Sequence, residues 1–295
     1  MTMLDRQPEA RPHPEEAARP VPVRRTIGDE QIESMDALAV EEPLEIQLAF
    51  RGPQGLEIRN LSITMRTPGE DPELAVGFLF TEGIIRSRHD LAGLEALPSG
   101  PHGTCRSNRI RVALQERIAV DTPSLERNFY TTSSCGVCGK ASIQALRTRS
   151  AFPSPSPGSG PRVPAALLQA LPDRVRAAQA VFQATGGLHA SALFAASGEL
   201  LLLREDVGRH NALDKVIGRA VLEGRIPLDD HLLFLSGRTS FELVQKASMA
   251  GLRFLAAVGA PSSLALDLAR EAGITLVGWL RDGRFNVYHG AWRIT

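Results

Sequence analysis

Beyond residue 160 the chain switches repeatedly between two hydrophobic periods, and this switching is its strongest constraint on fold. Residues 163–182, 211–222, 241–250 and 262–272 carry apolar side chains at helical spacing. Residues 190–194, 200–203, 232–235, 254–258, 274–280 and 285–288 are short apolar runs of strand length. Ser197-Gly198, between the first two runs, predicts a hairpin turn. Strands alternating with helices predict an α/β domain, a mostly parallel sheet covered on both faces. Chemistry in such sheets gathers outside the carboxyl ends of the strands. Three polar segments are expected there: Arg204-Glu205-Asp206-Val207-Gly208-Arg209-His210-Asn211, Ser236-Gly237-Arg238-Thr239-Ser240 and Arg281-Asp282-Gly283-Arg284.

The earlier part has a different rhythm. Leu44, Ile46, Leu48 and Phe50 alternate with Glu45, Gln47 and Ala49, a half-buried strand, and Ile58, Leu61, Ile63 and Met65 suggest its partner. Asp71-Pro72-Glu73 predicts a helix start, with Gly83 as a stop. Ile110, Val112 and Leu114 alternate again, as do Ile118 and Val120. The expected organisation is a solvated tail over residues 1–25, a small α+β domain over 26–124 and an α/β domain over 125–295. A Pro-, Ser- and Gly-rich stretch at 152–164 is expected to be a flexible loop.

Composition narrows the function classes. With 33 Lys+Arg against 33 Asp+Glu the formal net charge is zero, which argues against a general nucleic-acid binder. No apolar run reaches the roughly 18 residues of a membrane span. The N-terminus lacks the apolar segment of a signal peptide. Three cysteines are too few for a disulfide scaffold, so a cytoplasmic protein with reduced thiols is expected. Lysine occurs only at 140, 215 and 246, so the positive charge is almost all guanidinium. Codon bias is the plain cause; forks for phosphate are the functional one.

The sharpest local feature is Ser133-Ser134-Cys135-Gly136-Val137-Cys138-Gly139-Lys140. A serine cap would put both sulfurs in the first turn of a helix, where unpaired N–H groups stabilise a thiolate. Packed structural thiols, a zinc site, a dithiol oxidoreductase and a sulfur carrier all use such a pair, and spacing alone does not separate the last two. Zinc needs further ligands, and only Cys105 and scattered histidines are on offer. Zinc deaminases place Pro before the first cysteine and need an upstream H-x-E. Here Ser134 takes that place, and the one H-x-E, His13-Pro14-Glu15, falls in the expected tail.

In the polar segment after residue 203, a helix starting near Arg209 would put His210 and Asp214 on one face, with Asp214 orienting the imidazole. Asn211 and Lys215 would form a second such pair. A capped helix with solvated charge pairs is the plain alternative. His189, after Gly186-Gly187, is expected to face the same cleft, or else to be a satisfied structural histidine.

Ser134-Cys135-Gly136-Val137-Cys138-Gly139, Thr185-Gly186-Gly187 with His189, the string Glu205 to Lys215 and Ser236-Gly237-Arg238 together resemble the FdhD family of sulfur carrier proteins, needed for formate dehydrogenase activity. The resemblance runs from about Glu41 to the C-terminus. It implies a cytidine deaminase-like α/β/α domain without zinc, plus a smaller N-terminal α+β domain. It implies sulfurtransferase activity in which a cysteine desulfurase supplies persulfide sulfur to Cys135, with Cys138 as the second cysteine. The sulfur would pass to the molybdenum (or tungsten) cofactor in its bis-guanine-dinucleotide form, on its way to formate dehydrogenase. The family's cofactor-binding stretch falls on Trp279, Leu280, Arg281, Asp282, Gly283 and Arg284. His189, Asp206, Arg209, His210, Asn211, Asp214, Lys215 and Arg238 are expected to line the cleft. A homodimer is implied, without nucleic-acid or membrane partners. The alternative is a non-catalytic chaperone that binds the cofactor and delivers it to formate dehydrogenase.

Overall fold

The computed structural model describes residues 17–98, 107–120 and 159–295. Its first element overturns the expected tail from residue 18 onward. β1 (Ala18–Ile27) and β2 (Glu30–Ala39) form an antiparallel ribbon, with Gly28 at φ +60° in the turn. The proline- and arginine-rich composition hid a strand, because β1 pairs on one side only. An edge strand tolerates the missing N–H groups of Pro20 and Pro22. The base of the ribbon packs through Ala17 and Ala39 against Val181, Leu188 and Val207.

The alternating residues Leu44, Ile46, Leu48 and Phe50 build β3 (Glu42–Gly52), and all four are buried. β3 pairs with β4 (Gly55–Arg66), the expected partner. A register shift at Ile46/Gln47 sends Leu61 into the core and leaves Ile58, Ile63 and Met65 exposed on the opposite face. The helix predicted at Asp71-Pro72 is α1 (Asp71–Thr81). β5 (Leu91–Leu97) and β6 (Arg109–Leu114) complete a four-stranded sheet in the order β4-β3-β6-β5. Ile118 and Val120, expected as a strand, are not one; they pack against the core from an irregular segment.

The second half follows the expected alternation closely. The helical pattern at 163–182 divides at Gln179 into α2 (Ala165–Ala178) and the short α3 (Ala180–Thr185). β7 (His189–Ala195) and β8 (Leu200–Asp206) form the hairpin predicted at Ser197-Gly198. Then come α4 (Arg209–Leu222), β9 (His231–Leu235), α5 (Phe241–Met249), β10 (Phe254–Ala257), α6 (Ser263–Glu271), β11 (Thr275–Arg281) and β12 (Arg284–His289). The sheet order is β12-β11-β10-β9-β7-β8.

This sheet is mixed rather than mostly parallel. β9, β10 and β11 pair in parallel, but β7 is antiparallel to both its neighbours, and β12 is antiparallel to β11. The hairpin loop between β7 and β8 is too short for the crossover that a parallel pair requires. As a result β8, β9, β10 and β11 run in one direction, and their carboxyl ends share an edge with the first residue of β7.

Period-two burial covers both faces of the six-stranded sheet. Leu193, Leu233, Leu235, Leu255 and Leu276 join α4, α5, α6, α1 and the four-stranded sheet in one continuous core. Ala192, Phe194, Phe234, Phe254 and Val277 pack against α2 on the other side. α1 and α4 cross in near contact. A Cβ built on Gly77 would lie 1.9 Å from the Asp214 carbonyl oxygen, and one on Gly218 1.8 Å from that of Glu73. Residues 159–164, the described end of the expected flexible loop, are held. The Val163 N–H donates to the Arg293 carbonyl at 2.8 Å, and Arg293 Nε donates to the Ser159 carbonyl at 2.6 Å.

Candidate functional site at the carboxyl edge of the sheet

Cys135 and Cys138 lie outside the described residues. The other expected site residues sort into a buried lattice, an accessible edge and a hairpin.

The buried lattice centres on Asp206, the last residue of β8, which has no solvent exposure. Its Oδ1 accepts from the Gly208 N–H (2.8 Å) and from Asn211 Nδ2 (3.0 Å). Its Oδ2 accepts from the Thr67 N–H (3.1 Å) and pairs with Lys215 Nζ at 2.9 Å. Lys215 is equally buried and also donates to the carbonyls of Thr67 and Glu205. Burial opposes its charge, but Asp206 and then Glu70 outweigh that and hold its pKa above the ordinary lysine value. Asn211 donates to the Met65 carbonyl and accepts from Thr64 Oγ1. Asn211 and Lys215 are therefore joined through Asp206, and together they rivet the end of β4 to the start of α4.

Asp214 is not the partner of His210. α4 begins where expected, but the Asp214 carboxylate lies against Lys246 Nζ at 2.8 Å and accepts from Thr81 Oγ1 at 3.0 Å. Burial pushes its pKa up, against the pull of Lys246. Nearby, Arg204 forks onto Glu73 at 2.6 and 2.8 Å. A carboxylate and a guanidinium buried this deeply persist because each satisfies the other in bidentate geometry. Glu205 turns away from this lattice and accepts from the N–H groups of Val181 and Phe182, closing the start of α3.

The accessible edge holds His189, Arg209, His210 and Arg238. His189 opens β7, and a Cβ on Gly237 would stand 3.3 Å from its Nδ1. Its pKa is lowered, chiefly by burial and then by the charges of Arg209 and His210, so the ring is neutral at physiological pH. His210 Nε2 lies 2.8 Å from Glu242 Oε2 and 3.3 Å from Ser240 Oγ, both from the start of α5. The ladder continues past the strand ends. The Gly259 N–H donates to Gly237 O (3.0 Å) and the Trp279 N–H to Gly259 O (3.2 Å). Glycine is required here, because a Cβ on Gly259 would come within 2.9 Å of Arg238 Cα.

Three buried polar atoms in this neighbourhood have no hydrogen-bond partner: Arg209 Nε, Thr239 Oγ1 and Glu242 Oε1. Buried polar atoms in folded proteins are almost always paired, so a local cluster of orphans marks a place prepared for something polar. Among the described residues no group of three or more His, Cys, Asp or Glu has a metal-holding arrangement. No described helix is long and apolar enough to cross a membrane.

The stretch 279–284 is a hairpin. Arg281 and Arg284 face each other across Asp282 (φ 53°) and Gly283 (φ 70°). Two successive positive φ values are what a tight two-residue hairpin turn demands. Trp279 has φ 56° at a register shift, is 38% exposed, and carries the Arg281 guanidinium 4.6 Å over its ring. Leu280 belongs to the α2-side core and is not available to a ligand. Gln169 on α2 donates to the Gly283 carbonyl and steadies the tip. The exposed groups are Trp279, Arg281, Asp282 and Arg284.

The residues that sequence reasoning missed are the partners Glu70, Glu73, Glu242 and Lys246; Arg204 and Ser240 lie within the expected polar segments. Glu242 had a visible signal, an acid in the first turn of a helix, but that pattern also occurs wherever a carboxylate meets a helix dipole.

A family model for the FdhD/NarQ family matches residues 39–295. The sulfur carrier protein FdhD of Mycolicibacterium paratuberculosis is 51% identical over 274 residues, covering 92% of this chain and 97% of the relative. The protein of the same name from Streptomyces coelicolor is 51% identical over 261 residues, with 88% and 89% covered. A crystal structure of a proposed formate dehydrogenase accessory protein from Desulfotalea psychrophila superposes with a TM-score of 0.67 at 23% identity, over 95% of this chain and all of that one. At that identity it speaks to the fold alone.

Proposed function

The chain belongs to the FdhD/NarQ family, and on that premise we propose that it is a sulfur carrier serving formate dehydrogenase. It takes persulfide sulfur from a cysteine desulfurase onto Cys135, with Cys138 as the second thiol, and acts as a sulfurtransferase. The sulfur goes to the molybdenum (or tungsten) bis-guanine-dinucleotide cofactor, which is substrate and not a resident group. The α/β core is read as a cytidine deaminase-like domain without zinc, working in the cytoplasm as a homodimer. The mixed sheet with helices on both faces supports that kinship.

The observation that carries the reading is the prepared edge. Arg209, Arg238, Arg281 and Arg284 stand at strand ends or in the loops that follow them, and guanidinium forks suit the diphosphates of a guanine dinucleotide. Orphaned Arg209 Nε lies among them. Trp279 offers a flat, half-exposed face of the kind on which a base stacks. Asp206, Asn211, Asp214 and Lys215 are framework, since their polar atoms are already committed inside the protein.

The rival is a chaperone that binds and delivers the cofactor without sulfur chemistry. Formate dehydrogenase activity in cells carrying the Cys135→Ala, Cys138→Ala double variant separates the two. A sulfur carrier requires that activity to collapse, whereas full activity establishes the chaperone.

A further inference from the structure

We propose that the β1–β2 ribbon of one copy of this chain docks through its apolar face on the outer row of β4 in a second copy, which returns the same contact. This gives the homodimer of the reading above its interface, and rests on that reading. Alternate residues of a strand share a face. In the ribbon's register, Val21, Val23 and Ile27 of β1 therefore stand on one face with Ile32 and Leu38 of β2. Ile27, Ile32 and Leu38 are exposed, and Val21 and Val23 are half-buried. The outer row of β4, turned away from the core, is Leu56, Ile58, Asn60, Ile63 and Met65, all exposed. Seven of the thirteen large hydrophobic side chains exposed among the described residues lie on these two surfaces, a concentration that marks interaction faces and not scattered exposure.

Stability argues for a second copy as the occupant. A two-stranded ribbon standing alone is marginal in water. This one finds its main support within the chain on α3, near its base. Its outer part needs a cover that is present whenever the folded chain is, which another copy supplies and a passing partner does not. Size agrees. The ribbon strands have ten residues and β4 has twelve, so a ribbon about 34 Å long meets a row of similar length. Two such contacts bury on the order of 1,400 Å², within the range of a stable interface.

Closure agrees as well. Ribbon and row are different surfaces of one chain, and a two-fold axis lets each copy give one ribbon and receive one, leaving neither surface open. Pro20 and Pro22 remove two N–H donors from β1, so its edge is a poor template for open-ended strand addition and the face is the better route. The ribbon face carries Arg19, Arg25, Glu30 and Asp36 beside its apolar residues, and the β4 row is bordered on β3 by Glu45 and Arg51. Both signs occur on each surface, so neither repels the other as a whole.

The test is the mass of the full-length protein in solution, by light scattering and by sedimentation across a dilution series. Wild type should be a dimer of the 31.9 kDa chain. The ribbon variant I32E/L38E and the row variant I58E/I63E alter only exposed side chains, so each should keep its circular dichroism. In each, the dimer dissociation constant should rise on the order of a hundredfold, because carboxylates enter an apolar contact. Mixed together, the two variants should pair, since one intact ribbon then meets one intact row. Ribbon amides should be protected from hydrogen exchange in the wild-type dimer and exposed in either variant. Dimers that persist in both variants overturn the ribbon contact and leave the homodimer standing. A row variant that stays dimeric while the ribbon variant dissociates means that ribbon meets ribbon, and overturns the contact too. So does a mixture that fails to pair. A monomeric wild type removes the homodimer along with the contact; protected ribbon amides would then assign the cover to the same chain, and exposed ones to a different protein.

Discussion

Lys215 Nζ lies 2.9 Å from Asp206 Oδ2 with neither side chain reaching solvent, and this contact joins the end of one sheet to the helix that borders the site. It explains why so polar a string follows β8. Asp206, Asn211 and Lys215 bond to one another and to the backbone, and so fix the loop that presents Arg209 and His210.

Breaking that pair should cost about 3–5 kcal/mol, the usual penalty for an uncompensated buried charge. Asp206→Ala and Lys215→Met are both expected to lower the urea midpoint by that measure. Replacing both together should not restore stability, because the N–H groups of Thr67 and Gly208 also rely on the Asp206 carboxylate. A double variant as stable as wild type would contradict the role given to that carboxylate.

The crossing of α1 and α4 predicts a second loss. Gly77→Ala and Gly218→Ala each drive a methyl group onto a backbone carbonyl of the other helix, which cannot rotate away. Each should destabilise by about 3 kcal/mol or more. Denaturant titration reads this directly, and a loss under about 0.5 kcal/mol would mean the helices part freely.

The hairpin at 279–284 should divide into core and contact residues. Leu280→Ala is expected to cost about 2–5 kcal/mol of stability. Arg281→Ala and Arg284→Ala should leave the melting temperature within a degree or two, yet weaken binding of guanosine diphosphate, a fragment with the base and diphosphate of the cofactor. Thermal unfolding and calorimetric titration of the three variants provide the comparison. Unchanged nucleotide affinity in both arginine variants would remove the hairpin from the binding surface.

His189 sets a pH dependence of stability. Its folded pKa lies below the ordinary histidine value of 6.5 because of burial and then Arg209 and His210. Below that value the unfolded chain takes up a proton that the folded chain refuses, so stability falls as pH drops through it. Against wild type, His189→Gln should gain relative stability between about pH 7.5 and about pH 5. A constant difference across that range would contradict the assignment.

Hydrophobic period carried much of the fold into view. Leu44 to Phe50, the hairpin at Ser197-Gly198 and the start of α4 at Arg209 all stand where local pattern puts them, because burial on one face leaves a trace in neighbouring residues. Long-range partners leave no such trace. Spacing put Asp214 beside His210, yet Lys246 and Glu242, both more than 30 positions further on, decide where each side chain goes. β7 reads as one more strand, and its reversed direction depends on the length of a loop. β1 escaped notice because its prolines resemble a tail until the strand is seen to have a free edge. Arg209 and Arg238 were legible as residues, but which polar groups remain uncommitted is a property of the assembled lattice.

On the proposed function, sulfur rides on Cys135. Intact-protein and peptide mass spectrometry after incubation with cysteine and a cysteine desulfurase tests it most directly. Wild type should gain the mass of one sulfur atom, localised to Cys135, removed by a thiol reductant and absent from Cys135→Ala. Undiminished sulfur loading in Cys135→Ala would contradict the account.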